Sequence, residues 1–300
     1  MGDKRQMTLL VTDSGLGGLS ICAGMAARFA NDARYDLIEI VYFNAWPEQN
    51  KGYNHYPDPA DRPRVFHNAL AAMARFNPDH IYIACNTLSV IYPYTRFAKE
   101  TVIPVTGIVE YGVHMIHNAL TQDPSACAVI FATPATIHAN SHKTALVKQG
   151  IAPERIITQG CLNLAGKIER APFSHEVKTR IDDNAAQAAR NLTNTGATVY
   201  AGLCCTHFGY CQDSFKNALA RHSGRTVKIL NPNHAMTDAA CQGIISGGSP
   251  QMSINIVSRV TWEPAGIEAY ERLLCPISPE VVKALKNYRL DRNLFSTVIE

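Results

Sequence analysis

The chain has 300 residues, 46% of them hydrophobic and 18% charged, with a net charge of +3. This is enough for roughly two domains with a substantial core, and the scattered basic residues lack the clustered footprint of a nucleic-acid binder. No apolar run reaches the length of a membrane span and Met1 to Met7 is too polar for a signal-peptide core, so a cytoplasmic address is expected. Nine cysteines, an odd number with no CxxC pair, read as reduced thiols rather than a disulfide framework or a zinc site.

In chain order, Met7 to Val11 reads as a first strand, and Asp13-Ser14-Gly15-Leu16-Gly17-Gly18-Leu19-Ser20 as a glycine-rich turn feeding a helix to Phe29. The turn lacks the third glycine of the dinucleotide fingerprint, so it points to a bound carboxylate or phosphate rather than to NAD. Leu37 to Phe43 is a second strand. Asn44 to Arg64 is a polar loop of about twenty residues, long for an α/β connection, and such loops are often functional. A helix over Val65–Phe76, broken by Asn77-Pro78, leads to the strand Ile81-Tyr82-Ile83-Ala84, which ends at Cys85-Asn86-Thr87. A helix over Leu88–Lys99, disturbed by Pro93, and a short strand over Val102–Ile108 complete the first half.

The second half opens with a helix over Tyr111–Leu120, a strand over Ala126–Ala132 and a helix over Ile137–Gln149. A short strand at Ile156-Ile157, a helix over Glu176–Asn194 and a strand over Thr198–Leu203 follow. That strand ends at Cys204-Cys205-Thr206-His207. Beyond it come a helix over Gln212–His222 and a strand over Val227–Leu230 returning to the first domain. A helix from Ala235, a strand over Ile254–Val260 and helices over Gly266–Leu274 and Pro279–Asn287 close the chain. Alternating strands and helices predict mostly parallel sheets with helices on both faces, and ligands at the carboxyl ends of the strands.

Two of those ends form a repeat. Asp13 precedes Cys85 by 72 residues, Thr133 precedes Cys205 by 72, and the two pairs are offset by 120. A period of that size marks a duplicated α/β unit rather than a solenoid of roughly 20–50-residue repeats. The expected fold is therefore two pseudo-symmetric doubly wound α/β domains facing each other across a cleft. Residues 1–101 with 231–300 form the first and 102–230 the second.

A cysteine from each half, on opposite faces of a carbon, could remove a proton on one side and deliver one on the other, inverting a stereocentre without a cofactor. Asp13 and His207 are placed to assist one thiol each. Ser14, Asn86, Thr87 and Thr206 suit the clamping of a carboxylate and an amine. Burial as small hydrophobes is the competing reading of the cysteines, and it is kept for Cys22, Cys127, Cys161, Cys241 and Cys275. Asp13 also suits an N-cap, a role compatible with the first. Cys204 and Cys211 are conceivable redox partners of Cys205, though adjacent cysteines seldom have disulfide geometry. His114 with His117, and His138 with His142, have helical metal spacing but no acidic or thiol partners in register, so no metal is expected.

Five motifs carry a resemblance: Thr12 to Ser20, Ala84-Cys85-Asn86-Thr87, Ile103 to Glu110, Ala132-Thr133-Pro134-Ala135-Thr136 and Cys205-Thr206-His207. In that order they resemble the aspartate/glutamate racemase family, nearest to its glutamate racemases, from about residue 7 to residue 275. The resemblance implies cofactor-independent racemisation of a small amino acid, with Cys85 and Cys205 as the paired bases. It implies Asp13 and His207 as their partners and Glu169 as a third acid. Substrate contacts would fall on Ser14, Gly52, Lys51, Asn86, Thr87, Thr133, Thr136 and Thr206. For glutamate, it implies supply of the D-isomer to a bacterial cell wall.

Three departures bear on the substrate. The family's Asp-Thr and Pro-Tyr-Gly stretch reads Asn44-Ala45-Trp46-Pro47-Glu48-Gln49-Asn50-Lys51-Gly52, keeping the glycine and placing Lys51 at the tyrosine. The glycine before the second cysteine is Cys204, and Thr-His-Tyr-Pro becomes Thr206-His207-Phe208-Gly209. Aspartate, another amino acid or a small diacid are thus alternatives to glutamate within the family, and a binding or regulatory protein on the same fold is the alternative outside it. The tail from Pro276 to Glu300 either covers a homodimer surface or packs on the first domain.

Overall fold

A computed structural model describes residues 5–193 and 196–298. The chain divides into two compact units, residues 1–107 with 236–300, and residues 108–235.

The first unit begins β1 (Gln6–Asp13), α1 (Leu19–Phe29), β2 (Leu37–Asn44), α2 (Asp61–Ala74), β3 (His80–Ile83), α3 (Asn86–Ile91), α4 (Phe97–Glu100) and β4 (Val105–Gly107). The second runs α5 (Ile108–Gln122), β5 (Cys127–Ala132), α6 (Pro134–Ala139), α7 (Ser141–Lys148), β6 (Ile156–Gly160), α8 (Leu164–Arg170), α9 (His175–Arg190), β7 (Thr198–Cys204), α10 (Gln212–Ser223) and β8 (Thr226–Leu230). Helix α11 (Pro232–Ala240) leads back to the first unit, which ends with β9 (Gln251–Ser258), α12 (Pro264–Leu274), α13 (Pro279–Lys286) and β10 (Arg289–Leu290). Strand β4 pairs with β3, so the first unit extends to Gly107 rather than to residue 101.

Both sheets are wholly parallel, as the alternation of elements predicts. Their strand orders are β10-β9-β2-β1-β3-β4 and β6-β5-β7-β8. With β1 to β4 set against β5 to β8, the two orders are the same, and the first unit adds β9 and β10 beside β2. The 120-residue repeat is therefore a repeat of topology. Asp13 and Thr133 end the first strand of each repeat, and Cys85 and Cys205 follow its third.

Side-chain alternation along buried strands gives each sheet two apolar faces. In the second unit Cys127, Val129, Phe131, Val199, Ala201, Leu203 and Cys205 pack with residues of α8, α9 and α10. Ala128, Ile130, Ala132, Tyr200 and Cys204 pack with residues of α5 and α7. Cys204 and Cys205 thus point to opposite faces, and all nine cysteines are free.

Several connections differ from expectation. Helix α2 starts at Asp61, which shortens the long loop, and a 3-10 turn over Tyr53–His55 lies inside it. The helix expected over Leu88–Lys99 is α3, a 3-10 turn holding Pro93, and α4. The one expected over Ile137–Gln149 is α6 and α7, split at Asn140, whose φ of 55° is a left-handed conformation asparagine tolerates. Helix α9 ends at Arg190, and Asn194, the last residue of the helix expected there, falls outside the described residues. Helix α8 and strand β10 were not foreseen. The tail packs on the first unit, with Leu294 and Phe295 buried in the cluster that holds Cys85. No helix among the described residues is long and apolar enough to cross a membrane.

One buried histidine sets an acid limit on stability. His142 of α7 is 3% exposed, its Nε2 has no hydrogen-bond partner, and Gly112 of α5 lies against it. Burial pushes its pKa from the ordinary 6.5 down to about 4. Between those values the unfolded chain takes up a proton that the folded chain refuses. Stability should therefore fall by about 1.4 kcal/mol per pH unit as pH drops through that window. Urea midpoints at pH 7, 6 and 5 should show His142→Leu gaining on the parent as pH falls; parallel curves would clear His142 of the effect.

Candidate active site

In the first unit, Asp13 is the last residue of β1 and is 1% exposed. Its Oδ1 accepts a hydrogen bond from the Ser14 backbone N–H at 2.6 Å. Gly18, before α1, lets the helix start come close: a Cβ there would meet Ala84 Cβ at 2.9 Å and Asp13 Oδ2 at 3.0 Å. Cys85 follows β3 and is the N-cap residue of α3. Its Sγ lies 3.2 Å from Ser14 Oγ. Burial, and then the Asp13 charge, push the Cys85 thiol well above its ordinary range, against hydrogen bonds from Ser14 and the Leu88 backbone N–H. A neutral thiol beside a carboxylate is a proton donor with an acceptor within the same half-site.

Asn86 and Thr87 open α3 and are both buried. Neither Oδ1 nor Nδ2 of Asn86 has a hydrogen-bond partner. A buried amide left unsatisfied at both ends costs free energy in the empty protein and suits a ligand that supplies both an acceptor and a donor.

The long loop does not present Lys51 as a free cation. Its Nζ lies 3.6 Å from Glu48 Oε1 and 4.4 Å from the centre of the Tyr56 ring. Gly52 N–H donates to His55 Nδ1 at 3.0 Å, and any Cβ at Gly52 would collide with the Trp46 ring. The residue after this glycine, Tyr53, is 2% exposed and its hydroxyl has no partner. Burial raises its pKa well above 10, with further upward contributions from Tyr56 and Cys85. The sequence reading passed over Tyr53, although Gly52-Tyr53 is the family's Tyr-Gly pair in reverse order.

In the second unit, Cys205 ends β7 and starts the 3-10 turn Thr206–Cys211. Cys205 Sγ lies 3.9 Å from His207 Nδ1, and His207 Nε2 lies 2.8 Å from Glu169 Oε2. The unforeseen helix α8 delivers Glu169 to this position. Burial lowers the His207 pKa, but hydrogen bonds and charge from Cys205 and Glu169 outweigh it and hold the imidazole well above 6.5. The result is a thiol–imidazole–carboxylate row in which the imidazole is charged at neutral pH.

Thr133 N-caps α6, accepting from Thr136 N–H at 3.3 Å, and the two hydroxyls lie 3.0 Å apart. The Thr206 carbonyl accepts from Asn233 Nδ2 at 3.0 Å. Two of the departures have structural reasons. Phe208 is fully buried against Phe215, with ring centres 5.1 Å apart, and Gly209 makes room for the Asn231 amide, 2.9 Å from where a Cβ would stand. Cys161, read as a plain core residue, lies in the same cluster as Cys205, and burial followed by the Cys205 charge raises its pKa well above the ordinary range. Cys211 donates to the Pro172 carbonyl at 3.4 Å.

No family model matches the chain. It is 26% identical over 259 residues to a glutamate racemase of Leptospira borgpetersenii, covering 84% of this chain and 92% of the relative. Among solved structures it resembles glutamate racemase RacE1 of Bacillus anthracis, at a TM-score of 0.68 and 18% identity, over 90% of this chain and 94% of that one. It also resembles the glutamate racemase of Francisella tularensis solved with D-glutamate, at a TM-score of 0.64 and 21% identity, over 91% and 95% of the two chains.

Proposed function

We propose that this chain, a member of the aspartate/glutamate racemase family, interconverts L- and D-glutamate without a cofactor, using Cys85 and Cys205 as the two bases. The observation that carries the reading is the duplicated half-site. Each unit brings a buried cysteine to the end of the same strand of the repeat, and each cysteine has its own proton partner nearby.

Racemisation at an α-carbon needs a base on one face and an acid on the other. The half-sites differ in a way that suits the two tasks. Cys85 shares its half-site with a carboxylate and is held as a thiol. Cys205 has an imidazolium beside it, which stabilises a thiolate. In one direction the Cys205 thiolate removes the α-proton and the Cys85 thiol delivers one, its charge then relieved by transfer from Asp13. In the other direction the roles reverse. Ser14, Asn86 and Thr87 from the first unit, and Thr133, Thr136 and Thr206 from the second, supply the neutral donors and acceptors that fix an ammonium and a carboxylate. Product D-glutamate would serve a bacterial cell wall.

Incubating the reduced protein with L-glutamate in deuterated water tests this. The α-proton NMR signal and the optical rotation should both decay, the rotation to zero. Tight binding of glutamate with no exchange would instead identify a binding protein on the racemase fold. Exchange of aspartate but not glutamate would move the substrate within the family.

A further inference from the structure

The long loop departs most from the family, and Lys51, the residue standing at the family's tyrosine, is held by Glu48 and Tyr56. Tyr53 is the residue of that loop left with an unmet requirement. Its ring is fixed edge-on to Phe66, with centres 6.0 Å apart, and beside Tyr56 at 6.5 Å. It belongs to the same buried cluster as Cys85. Burial of a phenol hydroxyl without a hydrogen-bond partner costs free energy that a bound acceptor would relieve.

Arg259 adds the direction. It follows β9, and strand order places β9 three positions from β3, which precedes Cys85. At roughly 4.8 Å per strand that is about 14 Å along the sheet edge. Arg259 is half-buried, donates to the Phe295 carbonyl at 2.8 Å, lies 4.9 Å from the centre of the Phe295 ring, and forms no ion pair among the described residues. Its positive charge acts on both Tyr53 and Tyr56. A cation behind a phenol makes the hydroxyl a better donor. The line from Cys85 to Tyr53 to Arg259 leads away from the thiol, where the reacting carbon must sit.

We infer that Tyr53, rather than Lys51, sets specificity in this protein, its hydroxyl donating a hydrogen bond to the side-chain carboxylate of the substrate, with Arg259 positioned behind it. The inference rests on the amino-acid racemase reading and adds a role for one residue of the divergent loop.

The test compares Tyr53→Phe with the parent enzyme on glutamate and on glutamine, which differs in having no side-chain charge. A hydrogen bond to a charged group is worth about 1.5–3 kcal/mol, so KM for glutamate should rise about tenfold or more. KM for glutamine should move far less, so that discrimination between the two falls. Tyr56→Phe, which removes a hydroxyl already bonded to Glu48 at 3.3 Å, is the control and should leave discrimination intact. Thermal melts of both variants verify folding. Parental discrimination in Tyr53→Phe would overturn the inference, as would an equal rise in KM for both substrates, which would put the hydroxyl on the shared α-groups. A parent enzyme that exchanges neither amino acid would instead overturn the racemase reading, and the inference with it.

Discussion

Replacing either cysteine with serine is expected to lower racemisation of glutamate by about 10²- to 10⁴-fold, the usual worth of a positioned acid or base. Serine keeps the size and a polar atom but gives up its proton far less readily than a thiol. The variants should not be equivalent. With Cys205 intact, Cys85→Ser can still remove the α-proton of one enantiomer and return a deuteron to the same face. It should therefore wash the proton out of that enantiomer without loss of rotation. Cys205→Ser should do the same for the opposite enantiomer. Proton NMR on each pure isomer, beside polarimetry, checks this. Racemisation at the parental rate in either variant would remove that thiol from the mechanism, and loss of exchange from both isomers in both variants would rule out thiols that act one at a time. Both side chains are buried, so melting curves should accompany the assay.

The parts of this architecture legible in the sequence were those with a period to read. Val129, Phe131 and Ala201 sit in strands whose apolar runs are long enough to recognise, and the shared spacing from Asp13 to Cys85 and from Thr133 to Cys205 exposed the duplication before any coordinate. The strand order common to the two sheets is its physical counterpart. Helix α8, Leu164–Arg170, is seven residues long, below the 11–18-residue window in which helical periodicity can be counted, so Glu169 had a role by resemblance but no visible support. Tyr53 was missed for another reason. What distinguishes it is a hydroxyl without a partner, which is a property of packing and not of composition. Lys51 drew attention because a lysine in a substrate loop is conspicuous, yet Glu48 and the Tyr56 ring hold it.

Glu169→Gln should lower kcat/KM for glutamate by about ten- to a hundredfold near neutral pH, in proportion to the loss of a charge-assisted hydrogen bond. Glutamine preserves the shape of the side chain and removes only its charge. His207 is buried, which by itself favours the neutral ring; Cys205 and Glu169 reverse that preference. Without the Glu169 charge the imidazolium gives up its proton at lower pH, so the alkaline limb of kcat/KM that depends on it should move to lower pH. The same linkage acts on folding. A histidine held above 6.5 contributes stability that is full below pH 6.5 and disappears as pH rises through its folded value. Glu169→Gln should therefore be destabilised relative to the parent at pH 6, with the two converging at high pH. A purely packing role for Glu169 would lower stability equally at every pH and leave the position of the limb unchanged. A fixed limb, whatever the loss of rate, would mean that Cys205 and His207 work without the carboxylate 2.8 Å from the ring.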